Sequence, residues 1–421
     1  MHVEVPDVLA GKPQRYVDFA AFYFFYSDAS IHKKECHHKR KNKNQGAQMK
    51  KKYSFVVNIL LFLVLALYFP GCGFFGDSGG AVTNTYYANC NSDINIVCTG
   101  VTVVSGQTIY AGTAGCGLSV STNSGASFQT FTSANCGLAD DIINGVYASG
   151  SNIYVATQPF NQNGGLSVSS NGGANWTNYT TATSGFGSNT VYGVYASGGV
   201  IYAATAGGLS VFNAGTWTNY TTAQGLGSNT VYGVYSDGTY IYAATAGGLS
   251  IAPISTHFWT NYTTGLGSYL GSYAVYGVYV SGGNIYAATV GGLSISPVPT
   301  SPGPPLTGVS FTNYAEPLDG VTMSGGNYLT GVYVGTDIYA ATYLKGLSYS
   351  PLPPTAASWN NITTATSGFG SNTVNGVYAS GTDVYAATAG GLSISVNSGA
   401  TWSNIPDSGL GNTWLYCVYA Q

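Results

Sequence analysis

The tripeptide Gly-Leu-Ser occurs seven times at near-regular intervals, and this repeat constrains the fold more than any other feature of the sequence. It begins at Gly117, Gly165, Gly208, Gly248, Gly292, Gly346 and Gly391. The intervals run from 40 to 54 residues, with a mean of about 46. A period of this length over most of a chain indicates that one supersecondary unit is repeated and that the copies stack on one another.

Each repeat divides into four short segments separated by Gly, Ser and Asn. In one clean copy the segments run from Val191 to Gly198, Val200 to Thr205, Gly208 to Phe212 and Thr216 to Thr221. Val, Ile, Thr and Tyr dominate them, which favours strands, and no segment sustains a helical period. We therefore predict an all-β fold with four antiparallel strands per repeat, named A to D in chain order.

Four short strands per repeat are typical of a β-propeller blade. In a ring, each blade buries both apolar faces of its sheet against its neighbours. The A segment occurs eight times, the last from Trp414 to Ala420, whereas B and C occur seven times, and an extra D-like segment runs from Val82 to Ala88. We predict a seven-bladed β-propeller with overlapping ends. The alternative is eight blades, one of them a partial blade formed by both termini.

Charged residues are few and unevenly placed. Eleven of the 12 Lys and Arg residues precede residue 53, and from Cys72 onward one lysine, Lys345, stands against ten carboxylates, for a formal charge of −9. Nucleic-acid binding depends on basic side chains, so this composition excludes it. It also excludes phosphoryl-transfer sites that clamp phosphate with Lys or Arg. With His257 as its one histidine, this region offers no histidine-rich metal site.

The front of the chain is typical of an export signal. A basic start at Met49 is followed by an apolar run over residues 55–69 and by Pro-Gly-Cys ending at Cys72,. This ending resembles the lipobox of bacterial lipoproteins, which implies lipidation of Cys72 as the first mature residue; the alternative is an uncleaved anchor helix. We predict an extension from a misassigned start over 1–48, a signal peptide over 49–71, a linker over 72–81 and the propeller over 82–421.

Two resemblances concern the repeats themselves. The segment from Asn189 to Ser210 resembles the propeller repeat of two-component regulators, a family that usually forms the periplasmic sensing part of histidine kinases. Three hairpins are similar to the Asp-box with Asn in place of Asp: Ser121 to Phe128, Ser169 to Trp176, and Ser395 to Trp402. These resemblances imply a propeller and structural hairpins, and they imply little about function because propellers carry many unrelated activities.

Candidate ligand-binding residues lie in the loops between strand D of one repeat and strand A of the next. Asp140, Asp141, Glu316 and Asp319 all fall in such D–A loops, which share one face of the ring with the B–C loops. This acidic face suits a cation, a sugar or a basic partner, whereas the alternative is that the carboxylates are ordinary solvated turn residues. We predict no catalytic residues, no metal site and no cofactor.

Tryptophan recurs next to or within the D segments, at Trp176, Trp217, Trp259, Trp359 and Trp402. Recurrence at one blade position indicates packing between blades and disfavours a sugar-stacking platform. A Ser-His-Asp site would rest on His257, which falls in a C–D turn on the opposite face. Sialidases, which share the Asp-box, grip their substrate with arginines that this region lacks.

The cysteines are consistent with export into an oxidising compartment. Cys116 and Cys136 fall in loops of the same face in the first blade, so we predict a disulfide between them. Cys417 lies on the last strand, near which ring closure would bring Cys90 and Cys98. We predict a second disulfide from Cys417 that closes the ring.

These observations predict an exported, membrane-anchored, non-catalytic propeller that acts as a binding or scaffold module at the bacterial cell envelope. Its ligand would be an unknown protein or carbohydrate, and the lipid would hold it at the periplasmic or surface side of the outer membrane. One alternative is a carbohydrate-active enzyme, a glycoside hydrolase or lyase, that uses carboxylates of the D–A face. Another is an assembly subunit.

Overall fold

The computed structural model describes residues 107–263, 273–301, 306–314, 328–355, 358–366, 368–406 and 410–421. Several predicted features lie outside these residues. They are the export signal with Cys72, the D-like segment from Val82 to Ala88, Cys90 and Cys98, and the two loop carboxylates Glu316 and Asp319. Within the described residues, no helix is long and apolar enough to span a membrane.

Strands account for nearly all regular structure in the described residues, in four sets that match the predicted segments. The A strands are β4 (Ile142–Ser149), β8 (Val191–Ser197), β12 (Val231–Ser236), β16 (Val275–Ser281), β20 (Leu329–Val334), β24 (Val374–Ser380) and β28 (Leu415–Ala420). The B strands are β1 (Ile109–Thr113), β5 (Asn152–Gln158), β9 (Val200–Thr205), β13 (Tyr240–Thr245), β17 (Asn284–Thr289), β21 (Asp337–Thr342) and β25 (Asp383–Thr388).

The C strands are β2 (Leu118–Ser121), β6 (Gly165–Ser169), β10 (Gly208–Asn213), β14 (Gly248–Pro253), β18 (Gly292–Pro297), β22 (Gly346–Pro351) and β26 (Gly391–Ser395). The D strands are β3 (Gln129–Phe131), β7 (Thr177–Tyr179), β11 (Thr216–Tyr220), β15 (Thr260–Tyr262), β19 (Thr312–Tyr314), β23 (Asn360–Ile362) and β27 (Ser403–Ile405). A four-residue helix, α1 (Ser133–Cys136), and a 3₁₀ turn, η1 (Thr222–Gln224), lie in D–A loops.

These strands form seven four-stranded antiparallel sheets arranged as the blades of a ring. Six blades are continuous in sequence, whereas the first has the order β28-β1-β2-β3 and takes its A strand from the C-terminus. Each A strand contacts the A strands of both neighbouring blades, so the A strands line the axis of the ring. The seven-bladed prediction is confirmed, and the eight-bladed alternative is wrong because β28 completes blade 1.

Each residue of the Gly-Leu-Ser repeat has a defined structural role. The seven glycines have φ between 84° and 135°, and a Cβ at Gly208 would lie 2.4 Å from the carbonyl oxygen of Tyr220 on the adjacent D strand,. The seven leucines are buried between blades. The repeat therefore joins strand C to strand D and packs the blade against its neighbour.

The serine of the repeat forms a hydrogen bond with the D–A loop that leads into its own blade. Five of these serines accept a hydrogen bond from a D–A loop N–H, at 2.8–3.1 Å, in the pairs Ala139–Ser167, Gly187–Ser210, Gly227–Ser250, Gly370–Ser393 and Gly411–Ser119. The last pair spans the closure, since Gly411 precedes β28 and Ser119 lies on β2. The C-terminal strand is thus seated by the same contact that seats the internal ones.

Small residues allow the A strands to approach one another. In six blades a glycine on strand A pairs with an alanine on strand B, as Gly193 does with Ala204. In blade 1 the sizes are exchanged: Cys417 on β28 pairs with Gly112 on β1. A Cβ at Gly112 would lie 2.4 Å from Cys417 Sγ, so the cysteine side chain occupies the space that alanine fills elsewhere.

The predicted closure disulfide is wrong, because the thiol of Cys417 is free. Its Sγ lies in the wall between β1 and β4, with the carbonyl oxygen of Ile143 at 3.9 Å, and burial raises the pKa of the thiol to about 12. Backbone pairing of β1 with β28 closes the ring, extended by reciprocal hydrogen bonds between Thr108 and Gln421 at 2.8 and 3.0 Å.

Cys116 and Cys136 are each disulfide-bonded. Cys116 is buried in the B–C turn of blade 1, and Cys136 ends α1 in the loop that leaves the same blade. Their predicted pairing with each other stays a prediction.

The pairing of a glycine on strand B with a cysteine on strand A, the reverse of the other blades, predicts how two substitutions change the free energy of unfolding. Gly112→Ala should destabilise the protein by about 2 kcal/mol, because the added methyl group overlaps Cys417 Sγ and the side chain of Ile143,. Adding Cys417→Gly recreates the Gly–Ala pair of the other blades and should recover part of this loss. Urea denaturation measures both.

The matched control is Gly331→Ala on β20, where an added Cβ meets no atom within 4 Å of the described structure. This variant should retain nearly the wild-type free energy of unfolding. Equal destabilisation by Gly112→Ala and Gly331→Ala, or no recovery in the double variant, would contradict this account of the closure.

Candidate functional site

Asp140 lies under the D–A face and organises a neighbouring loop. Its side chain is 0% exposed, and its carboxylate accepts backbone hydrogen bonds from Phe160, Asn161 and Gln162 at 2.8, 3.2 and 2.8 Å. It also accepts one from the N–H of Asp141 at 2.7 Å. The carboxylate therefore caps the B–C loop of blade 2 from below.

Asp141 is 8% exposed and holds the start of α1. Its carboxylate accepts hydrogen bonds from the N–H and hydroxyl of Ser133 at 2.6 and 3.0 Å and from the amide of Asn161 at 3.3 Å. Both carboxylates are thus used within their own loops. Ligand contact by Asp140 and Asp141 stays a prediction that this geometry does not favour, and Glu316 and Asp319 lie outside the described residues.

The carboxylates of the opposite face also bond within the fold. Asp237, in an A–B turn, accepts a hydrogen bond from the hydroxyl of the buried Tyr242 at 2.7 Å and caps its own turn. Asp337 and Asp383 stand at the start of strands β21 and β25, each 3.5 Å from the hydroxyl of the tyrosine two residues on. These carboxylates order the turns that present the B strands.

His257 lies on the same opposite face, in a C–D turn, and stacks on Tyr220 with the ring centroids 4.9 Å apart. Partial burial lowers the pKa of its imidazole, so the neutral form prevails at neutral pH. The stacking on Tyr220 is a structural role that accounts for the position of His257.

The recurrent tryptophans pack blades together. Trp217 and Trp402 meet Phe186 and Phe369 of D–A loops edge to face, at 4.9 and 5.1 Å,. In the three hairpins that are similar to the Asp-box, the serine and asparagine side chains bond to turn N–H groups at 2.8–3.4 Å. The glycine of each hairpin has φ near 90°. These are structural turns.

Seven tyrosines, one from each A strand, form a closed cycle of ring contacts around the axis. We call them the tyrosine ring: Tyr147, Tyr195, Tyr235, Tyr279, Tyr333, Tyr378 and Tyr419. Consecutive members lie 4.6–5.2 Å apart between ring centroids, including the pair Tyr419–Tyr147 that spans the closure. All seven are half-buried. The central channel, which the A strands line, is therefore surrounded by a closed band of aromatic rings. The sequence alone did not indicate this band.

For three members of the tyrosine ring, Tyr147, Tyr333 and Tyr419, the environment favours the neutral phenol. Burial, together with neighbouring tyrosines, raises the pKa of Tyr147 to about 12. Burial is also the main cause that raises the pKa of Tyr333 and of Tyr419, followed by interaction with adjacent ring hydroxyls. These hydroxyls stay protonated at neutral pH and serve as uncharged donors and acceptors.

A second set of tyrosines, which we call the tyrosine arc, lies at the D–A end of the channel. Its members are Tyr192, Tyr232, Tyr276, Tyr328 and Tyr343. The first three are the second residues of A strands, Tyr328 directly precedes β20, and Tyr343 follows β21 in a B–C turn. Consecutive centroids lie 5.0–5.4 Å apart, and the rings of Tyr328 and Tyr343 stack at 10°.

The arc covers only part of this opening. At the corresponding position of strand A three blades carry polar residues, and blade 1 carries Tyr416 between two of them. The amides of Asn144 and Asn375 donate to the carbonyl oxygens of Val191 and Leu415 on the next blade, at 2.9 and 2.7 Å. Thr330 donates in the same way to Val374 at 2.7 Å. The D–A opening of the channel thus has a continuous run of tyrosines over blades 3 to 6 and a mixed stretch over blades 7, 1 and 2, where Tyr416 stands between Asn375 and Asn144.

No protein-family model matches the chain, and no curated protein matches its sequence. Solved structures do share the fold. The extracellular domain of a proposed one-component system from B. thetaiotaomicron aligns with a TM-score of 0.50 at 17% identity, over 66% of this chain and 35% of that chain. A second structure of the same domain, described there as part of a hybrid two-component system, gives the same values.

A proposed 6-phosphogluconolactonase from Bacteroides fragilis aligns with a TM-score of 0.51 at 13% identity, over 77% of this chain and all of that chain. This chain spans about a third of the length of that extracellular domain. The neighbours include regulator domains, in agreement with the predicted resemblance at the level of the fold. Identities this low indicate the fold alone, so the function has to be argued from the residues.

Proposed function

We propose that the chain is an exported, lipid-anchored, non-catalytic binding module of the bacterial cell envelope that engages its ligand at the tyrosine arc. The observation that carries this proposal is the break in symmetry at the D–A opening. Seven identical blades would present the same residue seven times around the opening. Instead the tyrosines of the arc contact one another without a break over blades 3 to 6, whereas Asn375, Tyr416 and Asn144 follow in turn on blades 7, 1 and 2.

The chemistry of the arc suits an uncharged ligand surface. Tyrosine combines a flat apolar face with a polar hydroxyl and loses little conformational entropy when it is covered. The neighbouring B–C turn presents Leu344, which is 50% exposed, and Lys345, the one lysine after residue 52. A carbohydrate or a protein segment with an apolar face and hydrogen-bonding edges fits this combination.

The hydrogen bonds of the two carboxylates that precede blade 2 favour a binding function over a hydrolytic one. A glycosidase needs two carboxyl groups that face the scissile bond. Asp140 is fully buried under the loop it caps, and Asp141 bonds to the first residue of α1. A carbohydrate-active enzyme on this face would have to break these loop contacts before either residue could reach a substrate.

The location at the cell envelope rests on the front of the chain. The basic start at Met49, the apolar run and Cys72 have the order of a lipoprotein signal,. Multiple acyl chains give stable membrane attachment, since each buried CH₂ contributes about 0.8 kcal/mol. The fold neighbours that are extracellular domains support an exported location.

A substitution within the arc tests the binding proposal. Tyr232 lies between Tyr192 and Tyr276, at 5.4 and 5.1 Å, so Tyr232→Ala breaks the continuity of the arc between these two rings. For whichever member of a neutral oligosaccharide panel binds the wild type, we expect at least a tenfold rise in Kd, about 1.4 kcal/mol, by titration calorimetry. Tyr232→Phe keeps the aromatic face and should retain most of the affinity.

The matched control is Tyr349→Ala on β22, outside the channel, which should leave the affinity unchanged. Hydrolysis of any member of the panel that is abolished by Asp140→Asn would instead favour the enzyme. Retention of full affinity by Tyr232→Ala would remove the arc from the proposal.

The intact mass of the protein extracted from bacterial membranes tests the anchor. We expect a chain that begins at Cys72 and carries acyl groups, and we expect Cys72→Ser to release the protein from the membrane fraction. A mature chain that begins at any other residue would contradict the proposed anchor.

A further inference from the structure

The tyrosine ring places phenol side chains of different blades side by side. Three successive contacts are the closest, at 4.6 Å between centroids: Tyr279–Tyr333, Tyr333–Tyr378 and Tyr378–Tyr419. The planes in these pairs are tilted by 40–50°, so the edge of one ring faces the next. The carbons beside the hydroxyl groups are therefore held near one another across the blade boundaries.

A covalent bond at any of these contacts would join two blades. Tyr419 is the most consequential member, because it lies on β28 and contacts Tyr378 of blade 7 and Tyr147 of blade 2. The closing strand is otherwise held by non-covalent contacts, since Cys417 has a free thiol. A bond to Tyr419 would fix the C-terminal strand within the ring.

We propose that the tyrosine ring is a site of oxidative modification, at which a one-electron oxidant of the peroxidase type, with hydrogen peroxide, joins neighbouring tyrosines into dityrosine cross-links between blades. Exported proteins meet such oxidants more readily than cytosolic ones. All seven ring tyrosines are half-buried and none is fully buried, so each keeps some exposed surface at which an oxidant can take an electron without unfolding of a blade.

The chemistry balances as two one-electron oxidations. Each of two tyrosines gives one electron to the oxidant and its phenolic proton to water, which leaves two phenoxyl radicals. The radicals combine in one carbon–carbon bond between positions beside the oxygens, and the two hydrogens on those carbons return to the oxygens to restore both aromatic rings. Hydrogen peroxide takes up the two electrons and two protons and becomes two molecules of water.

The fold favours coupling within the ring over coupling elsewhere. Two radicals held in contact react as an intramolecular pair with a high effective concentration. The hydroxyl of Tyr333 interacts with those of Tyr279 and Tyr378, which holds the three phenol groups together. Because the ring has seven members, coupling in separate pairs consumes at most three pairs and leaves one tyrosine unreacted.

The test oxidises the full-length protein, at a concentration low enough to suppress intermolecular coupling, with light, tris(bipyridine)ruthenium(II) and persulfate as the probe. Persulfate accepts the two electrons and becomes two sulfate ions. Peptic digestion and mass spectrometry should find the three 4.6 Å pairs as the most abundant cross-links. Tyr333 takes part in two of those three contacts, so in Tyr333→Phe the summed yield of the three cross-links at low conversion should fall roughly threefold,.

Tyr349→Phe is the matched control, because Tyr349 lies outside the ring and its nearest described aromatic neighbour, Tyr339, is 6.3 Å away. It should give the wild-type yield. Tyr378→Phe provides a second ring variant with the same expected loss, should Tyr333→Phe fail to fold. Cross-links confined to the tyrosine arc or to outer tyrosines, or equal yields from wild type and both ring variants, would overturn the proposal.

Discussion

Closure of the ring by the C-terminal strand is the contact on which the rest of the structure depends. Blade 1 has no A strand of its own among the described residues, and β28 supplies it from the far end of the chain. Every blade is buried between two neighbours, so an open ring would expose the faces of blades 2 and 7 as well as the incomplete sheet. Two contacts fix the position of β28 in blade 1. The N–H of Gly411 donates a hydrogen bond to Ser119, and Cys417 pairs with Gly112.

Of the two sets of tyrosines in the channel, one follows from that closure. The tyrosine ring exists as a closed cycle only because Tyr419 on β28 fills the gap between Tyr378 and Tyr147. The tyrosine arc, in contrast, depends on differences between blades, where Tyr328 takes the ring position that Thr330 leaves open beside Tyr276. The tyrosine ring thus arises because every blade repeats the same tyrosine, and the tyrosine arc, the candidate binding surface, arises because the blades differ.

The repeat predicted the fold closely because its residues act within a blade or between adjacent blades. The glycine and serine of Gly-Leu-Ser mark strand C in every copy, so strand order and blade number could be counted. The burial of Asp140 could not be predicted, since it depends on how residues 160–162 fold over it. Cys417 was misjudged for a related reason: its chain position indicated proximity to other cysteines, whereas its side chain fills the space above Gly112. The sequence indicates the tyrosines only as strand formers, because their rings meet only when the A strands of neighbouring blades come together around the axis.

Hydrogen–deuterium exchange of the C-terminal strand tests the central claim most directly. If β28 is the inner strand of blade 1, its amides over Leu415–Ala420 should exchange as slowly as those of β24, the corresponding strand of blade 7,. Rapid exchange of β28 while the other A strands remain protected would show a free C-terminus, and it would contradict both the closed ring and the tyrosine ring built on it.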